Sequence, residues 1–187
     1  MDKPSGKFSV HDDLVAWRRG DILARERLFT MFYPDLRLAA AAMLRREQGS
    51  SLSTDDLLQE AMTRLIRLDR LELVDRAHFL ALSSVMLRRV LVDHFRAKRR
   101  KKRDHVRATL ITAMADSAPY ELLALDEALR ELAVIDPERA EIVEMRYFGG
   151  MDIADIARVL SLSESTVKRR WAATRLWLHD AMKDDRG

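Results

Sequence analysis

The chain of 187 residues has no cysteine, only six glycines and only four prolines. Without cysteine, a disulfide scaffold and a thiolate zinc site are excluded. With so little Gly and Pro, and much Ala, Leu, Arg and Glu, the composition is that of helices. No stretch alternates apolar and polar residues with β-branched side chains, so no strand is predicted. The longest apolar run, residues 38–44, is seven residues long, against about 18 for a membrane span. Residues 1–10 hold no apolar core of a secretory signal, so a soluble, cytoplasmic protein is expected. No glycine fingerprint or phosphate loop is present, since the only Gly pair, Gly149-Gly150, has no Lys after it. The five histidines, His11, His78, His94, His105 and His179, never stand at metal-ligand spacing with a second His or a Glu. His78 beside Phe79 and His94 beside Asp93 read as packing or capping residues. Asp55, Asp56 and Glu60 gather at a helix start, where acids are ordinary. These residues offer no active site, and no enzyme, metal or cofactor is expected.

What the chain does hold is charge in one place. The net charge is +3, yet residues 88–107 carry ten Lys and Arg against two Asp, a local +8. The remainder, with 23 cations and 28 acids, is −5. This asymmetry points to a polyanion partner. Residues 96–103 alone place seven cations in eight positions. So dense a run is costly to leave unpaired and is usually neutralised by a polyanion. It continues an amphipathic helix, which favours nucleic acid over the reading of a solvated tail.

Apolar content of 48% is enough for a core. A first helix is predicted over 12–19, closed by Gly20. A second runs over 21–47, with a kink or break at Pro34. Residues 48–51 form a loop. Ser53 or Thr54 caps a third helix through 68, with Asp55 and Asp56 in its first turn. A fourth starts near Asp75 and runs through Phe95 into the basic stretch. Residues 104–119 read as a linker, in which Leu110, Ile111 and Met114 still offer apolar surface. Leu122, Leu125, Leu129 and Leu132 then form one helical stripe. Asp136 followed by Pro137 opens a helix to 148, which Gly149-Gly150 stops. Asp152 caps a short helix, with Asp155 three residues on as a capping-box variant. Residues 161–163 turn, and Ser163 caps a last helix to 182. The expectation is an all-α chain of two small helical domains, 1–103 and 120–187, joined by a flexible linker at 104–119.

A short helix, a tight turn and a longer helix make a helix-turn-helix. Ile153, Ile156 and Ala157 face inwards on the first helix, and Leu160 closes the turn. On the second, Val167, Trp171, Thr174 and Leu178 share a core-facing sector. Arg169 lies opposite, flanked by Ser165, Ala172 and Ala173, with Lys168 and Arg170 to either side. Small residues near the bases, one long reader and cations at the edges suit a major-groove helix. With Ser163 and Thr166 at its start, this helix is the candidate reader of duplex DNA. On the basic helix, Arg89, Asp93, Arg96 and Arg100 follow spacings of four, three and four, so they line one stripe. Asp93 is placed to pair with Arg89 or Arg96. Val85, Leu91, Val92 and Phe95 lie on the other side.

Together these segments resemble a bacterial RNA polymerase sigma factor of the extracytoplasmic-function type. The likeness covers nearly the whole chain. Residues 14–33 resemble the start of the family's region 2. Asp56-Leu57-Leu58-Gln59-Glu60-Ala61 resembles its D-x-x-Q-E segment, which implies docking on the clamp helices of the polymerase largest subunit. Asp75-Arg76-Ala77-His78-Phe79, followed by Arg88-Arg89-Val90-Leu91-Val92-Asp93-His94, is the most specific stretch. In the family that helix meets and helps to melt the −10 promoter element. The resemblance therefore implies −10 contacts from Phe79, Arg88, Arg89, Asp93, Arg96, Arg99 and Arg100. Residues 136–170 resemble region 4, which reads the −35 element and docks on the polymerase flap. Many family members carry Asn where this chain has Arg89, and Trp where it has Leu82; both departures bear on −10 preference. Ser161 stands where the turn commonly has Gly, so it must adopt a left-handed conformation or close the turn differently.

The function implied is promoter-specific initiation by core RNA polymerase, with promoter DNA as a partner, an anti-sigma factor as a candidate partner, and no membrane span. The other reading is a stand-alone helix-turn-helix regulator. That protein would bind palindromic duplex by itself as a dimer.

Overall fold

The structure, a computed structural model, describes residues 9–46, 51–68, 73–106 and 118–184. All regular structure in these residues is helical, and no strand occurs among them. The order is α1 (Val10–Arg18), α2 (Ile22–Arg46), α3 (Thr54–Ile66), α4 (Arg76–Val106), α5 (Ala118–Ile135), α6 (Pro137–Val143), a π-helical turn (Glu144–Phe148), α7 (Ile153–Val159) and α8 (Glu164–Asp184). The all-α expectation holds. Most of the expected linker, and Leu110, Ile111 and Met114 with it, lies outside the described residues, as does most of the 48–51 loop.

Local chemistry sets most of the helix ends. Gly20, at φ +94, closes α1, with its N–H on the Trp17 carbonyl and the Asp21 N–H on that of Ala16. Ser53 Oγ accepts the Asp56 N–H at 3.1 Å and starts α3. Asp136 accepts the Arg139 N–H at 3.1 Å, with Pro137 in the first turn of α6. Asp75 caps α4 by accepting the His78 N–H at 3.0 Å, and its carboxylate also meets His78 Nδ1 at 2.8 Å. Burial pushes the Asp75 carboxyl up, but the hydrogen bonds from His78 prevail and hold it below the ordinary range. His78 is thus the partner of the capping residue of α4.

Two expectations differ from the structure. Pro34 does not break α2, which continues to Arg46. The carbonyl left without an N–H partner is that of Thr30, four residues back, and Thr30 is exposed like Pro34, on the water-facing side of the helix. The helix expected to reach residue 148 is regular only to Val143. It then widens by one residue per turn, the Gly149 N–H bonding the Glu144 carbonyl at 3.0 Å. That widening sends Met145 and Phe148 into the core, where they are 3% and 1% exposed.

α4 is the centre of the molecule. One side packs on α2 and α3, another on α5, the π turn and α7. Its Phe79 ring lies against Phe32, Phe29 and Trp17 at centroid distances of 4.7, 5.9 and 6.3 Å. Such tilted pairs add to the burial of each ring. α1 is held to α2 by Arg27, whose guanidinium reaches the buried Asp13 carboxylate at 3.1 Å. On α5, Leu122, Leu125, Leu129 and Leu132 are all buried, as their spacing predicts. α8 crosses α5, α6 and α7.

Candidate nucleic-acid interface

The turn between α7 and α8 is built from its capping groups. Asp152 Oδ1 accepts the Asp155 N–H at 2.7 Å and starts α7. Only half of a capping box forms, because the Asp155 carboxylate turns to Arg158 at 3.1 Å and Arg76 at 3.4 Å. Ser161 takes the left-handed conformation, φ +54. Its N–H bonds the Arg158 carbonyl at 3.3 Å, and the Leu162 N–H bonds that of Ala157 at 2.9 Å. This pair of bonds is the one usually closed around glycine. A serine there costs roughly 1–2 kcal/mol of backbone strain. Ser163 Oγ then accepts the Thr166 N–H at 3.2 Å and starts α8.

With Ile156, Ala157, Val167, Thr174 and Leu178 buried, α8 can present only its other side. Ser165, Lys168, Arg169, Ala172 and Ala173 are exposed there, as the helical phase predicts. Ser163 is exposed at the helix start, and Thr166 is half-buried with its hydroxyl 2.8 Å from Ser163 Oγ. Lys168 pairs with Glu164 at 3.3 Å, an exposed pair that a phosphate can displace. Arg170 differs from expectation: it is half-buried and ion-paired with Glu138 of α6. It is therefore drawn towards the helix packing rather than standing at the edge of the reading face.

On α4, Arg89, Asp93, Arg99 and Arg100 are exposed. Asp93 pairs with neither Arg89 nor Arg96. Its partner is Arg64 of α3, at 2.6 Å, and Arg64 Nε also reaches Glu60 at 2.9 Å. Arg88 and Arg96 meet a different acid. Asp126 of α5 accepts Arg88 at 2.7 Å on one oxygen and Arg96 at 2.7 Å on the other. Glu144 of the π turn takes the second arm of Arg88 at 2.7 Å. Burial pushes the Glu144 carboxyl up to about 7, against the opposing pull of Arg88. Phe79 does not face solvent at all. It is 0% exposed within its aromatic cluster, so its side chain packs in the core and offers no surface for the −10 contact that the resemblance implies.

The α3 segment divides in the same way. Asp56, Gln59 and Glu60 are exposed, whereas Leu57 and Leu58 are 0% and 2% exposed in the core. The two leucines hold the helix in place and leave its polar face exposed. Arg64, Asp126 and Glu144 were not anticipated from the sequence. Asp126 had a signal: it lies four residues after Leu122 and three before Leu129, an acid within an apolar stripe.

The order of these parts is a Ser53-capped helix with an acidic face, a long cationic helix and a C-terminal helix-turn-helix. The family model described as ECF sigma factor matches residues 8–184. This chain is an ECF sigma factor. No curated protein matches it. As a member of this family it directs transcription initiation, and the family implies core RNA polymerase and promoter DNA as partners. Among the described residues of this sigma factor, no helix is long and apolar enough to cross a membrane. No group of three or more His, Asp and Glu among them could hold a metal ion.

Proposed function

We propose that this sigma factor acts through two units, 1–103 and 120–187, tethered by residues 104–119. In this reading α3 docks on the polymerase clamp helices through Asp56, Gln59 and Glu60. The α4 stripe of Arg88, Arg89, Asp93, Arg96, Arg99 and Arg100 engages the −10 element. α8 enters the major groove at the −35 element with Arg169 as reader and Lys168 on phosphate, while the second unit also meets the flap. Tethering gives two weak grips on one promoter a combined affinity that neither has alone.

The observation that carries this reading is the exposed face of α8. Its Ser165, Arg169, Ala172 and Ala173 are small or long in the pattern a groove-facing helix needs, on a helix whose opposite side is buried. The test is a gel shift on promoter DNA with and without core polymerase. A sigma factor of this design binds tightly only with core present. Tight binding to a palindrome by the chain alone, as a dimer, would instead identify a stand-alone regulator.

A further inference from the structure

Asp93 is an acid on a cationic helix, standing between Arg89 and Arg96 on the α4 stripe. A carboxylate there repels the phosphates that the arginines attract, so a grip on phosphate alone gives it no use. Its side chain is 54% exposed. One of its oxygens is taken by α3: Arg64 Nη1 donates to Asp93 Oδ2 at 2.6 Å. Nε of the same guanidinium donates to Glu60 Oε1 at 2.9 Å, one turn back on α3. The planar guanidinium is thus held from two helices, and it draws Asp93 away from the arginines of its own helix. Asp93 Oδ1 accepts no hydrogen bond among the described residues.

Cations on phosphate fix position and carry no sequence information. A carboxylate oxygen is an acceptor only, so it can tell base edges apart. It accepts from the amino groups N4 of cytosine and N6 of adenine, and meets another acceptor at O4 of thymine or O6 of guanine. Such discrimination needs the acceptor in one place. Left to its own helix, Asp93 would pair with Arg89, four residues back, or Arg96, three residues on. Arg96 is already bound to Asp126 at 2.7 Å, which leaves Arg89 as the competitor. That pairing would turn the acceptor into the stripe and withdraw a phosphate-binding cation. Arg64 prevents it.

We propose that Arg64 is a positioning residue for promoter recognition. By holding Asp93 Oδ2 it presents Oδ1 as the acceptor for the exocyclic amine of one promoter base, cytosine or adenine. The inference rests on the α4 stripe being the −10 surface. Arg64 acts through Asp93 and meets no base itself. Its charge also offsets that of Asp93, so the stripe keeps its attraction for phosphate while carrying an acceptor.

The test is in vitro transcription by core polymerase carrying the full chain, on promoters in which each −10 position is set in turn to each of the four bases. At one position the parent should sort the bases of one strand into cytosine and adenine against thymine and guanine, by about fivefold or more. Asp93→Ala should level that position and spare the others. Arg64→Ala should level the same position, and the double variant should do no more than either single one, as groups acting as a unit do. Arg64→Lys, which keeps a cation on α3, should restore part of the preference. Arg64→Ala that lowers transcripts evenly for all bases, or alters a position that Asp93→Ala does not, overturns the proposal. So does a responsive position that separates purines from pyrimidines, or A·T from G·C. If Asp93→Ala leaves every base preference unchanged, the proposal fails whether or not Arg64→Ala folds. Failure of the −10 assignment itself is read separately, from Arg89→Ala and Arg100→Ala: both would then leave transcription at these promoters undiminished.

Discussion

Arg64 of α3 reaches Asp93 of α4 at 2.6 Å while its Nε holds Glu60 at 2.9 Å. One guanidinium thus joins a carboxylate of the proposed polymerase-docking face to a carboxylate of the proposed −10 stripe. The arrangement fixes Asp93 away from Arg89 and Arg96. Both pairs are partly exposed, with side-chain accessibilities of 32% for Arg64, 51% for Glu60 and 54% for Asp93. A double-mutant cycle with Arg64→Ala and Asp93→Ala, read by urea denaturation, should return a coupling of about 0.5–1 kcal/mol. A coupling near zero would show that the bridge does not persist in solution.

Glu60→Lys reverses the charge at the centre of the exposed α3 face. Because Glu60 is exposed, helix content by circular dichroism should be unchanged. Affinity for core polymerase should fall at least tenfold. Leu58→Ala should instead destabilise the fold by about 2–5 kcal/mol, since Leu58 is 2% exposed in the core. If Glu60→Lys binds core normally, the docking face has been misplaced.

Lys168, Arg169 and Arg170 of α8 should separate by behaviour. Arg169→Ala should cost about 1–3 kcal/mol on the cognate −35 sequence and little on others, as loss of a forked base contact does. Lys168→Ala should weaken all sequences alike and flatten the salt dependence. Arg170 is paired with Glu138 across the α6–α8 packing, so Arg170→Ala should lower stability more than it lowers sequence selectivity. Equal losses for all three on every sequence would mean that another face of α8 meets DNA.

Ser161→Gly should stabilise the chain, because φ +54 strains a residue with a Cβ. The extra freedom of glycine when unfolded offsets part of the gain. A net increase of about 0.5–1 kcal/mol is expected, or a rise in melting temperature of about 1–4 °C. A lower melting temperature would show that the serine side chain contributes more than the backbone strain costs.

Glu144 should give the folded chain a pH dependence. Its carboxyl is pushed up to about 7 by burial, with Arg88, Arg89 and Asp126 around it. The folded chain therefore binds the proton more tightly than an exposed glutamate does. Stability from this group is full below its exposed value of about 4.5 and is lost as pH rises through about 7. Between pH 5.5 and 8.5 the loss from this group should be about 2 kcal/mol. Glu144→Gln removes the titrating group, so urea midpoints at the two pH values should converge. A difference as large in the variant as in the parent would assign the pH dependence elsewhere.

Much of the helical layout was legible because its signals are local. Ser53, Asp136-Pro137, Asp152 and Ser163 each act within three residues, and each caps the helix expected of it. The core face of α8 followed from phase alone. The charge partners did not, since Arg88 and Asp126 are 38 residues apart, and Arg64 and Asp93 are 29. Nothing local in a sequence says which of many acids an arginine meets after folding. Phe79, Leu57 and Leu58 lie within stretches that resemble functional segments, yet their side chains build the scaffold. Of the kink or break expected at Pro34, the break does not occur, because the exposure of the orphaned carbonyl depends on tertiary placement.

In the reading proposed above, α4 and α8 direct core polymerase to promoters. In vitro transcription with sigma-free core across a promoter library tests it most directly, using the parent chain and Arg169→Ala side by side. Discrete promoter-dependent transcripts are expected with the parent. With Arg169→Ala, transcripts should fall selectively at promoters that share one −35 sequence. Transcripts absent with the parent, or unchanged in position and amount with Arg169→Ala, would contradict it.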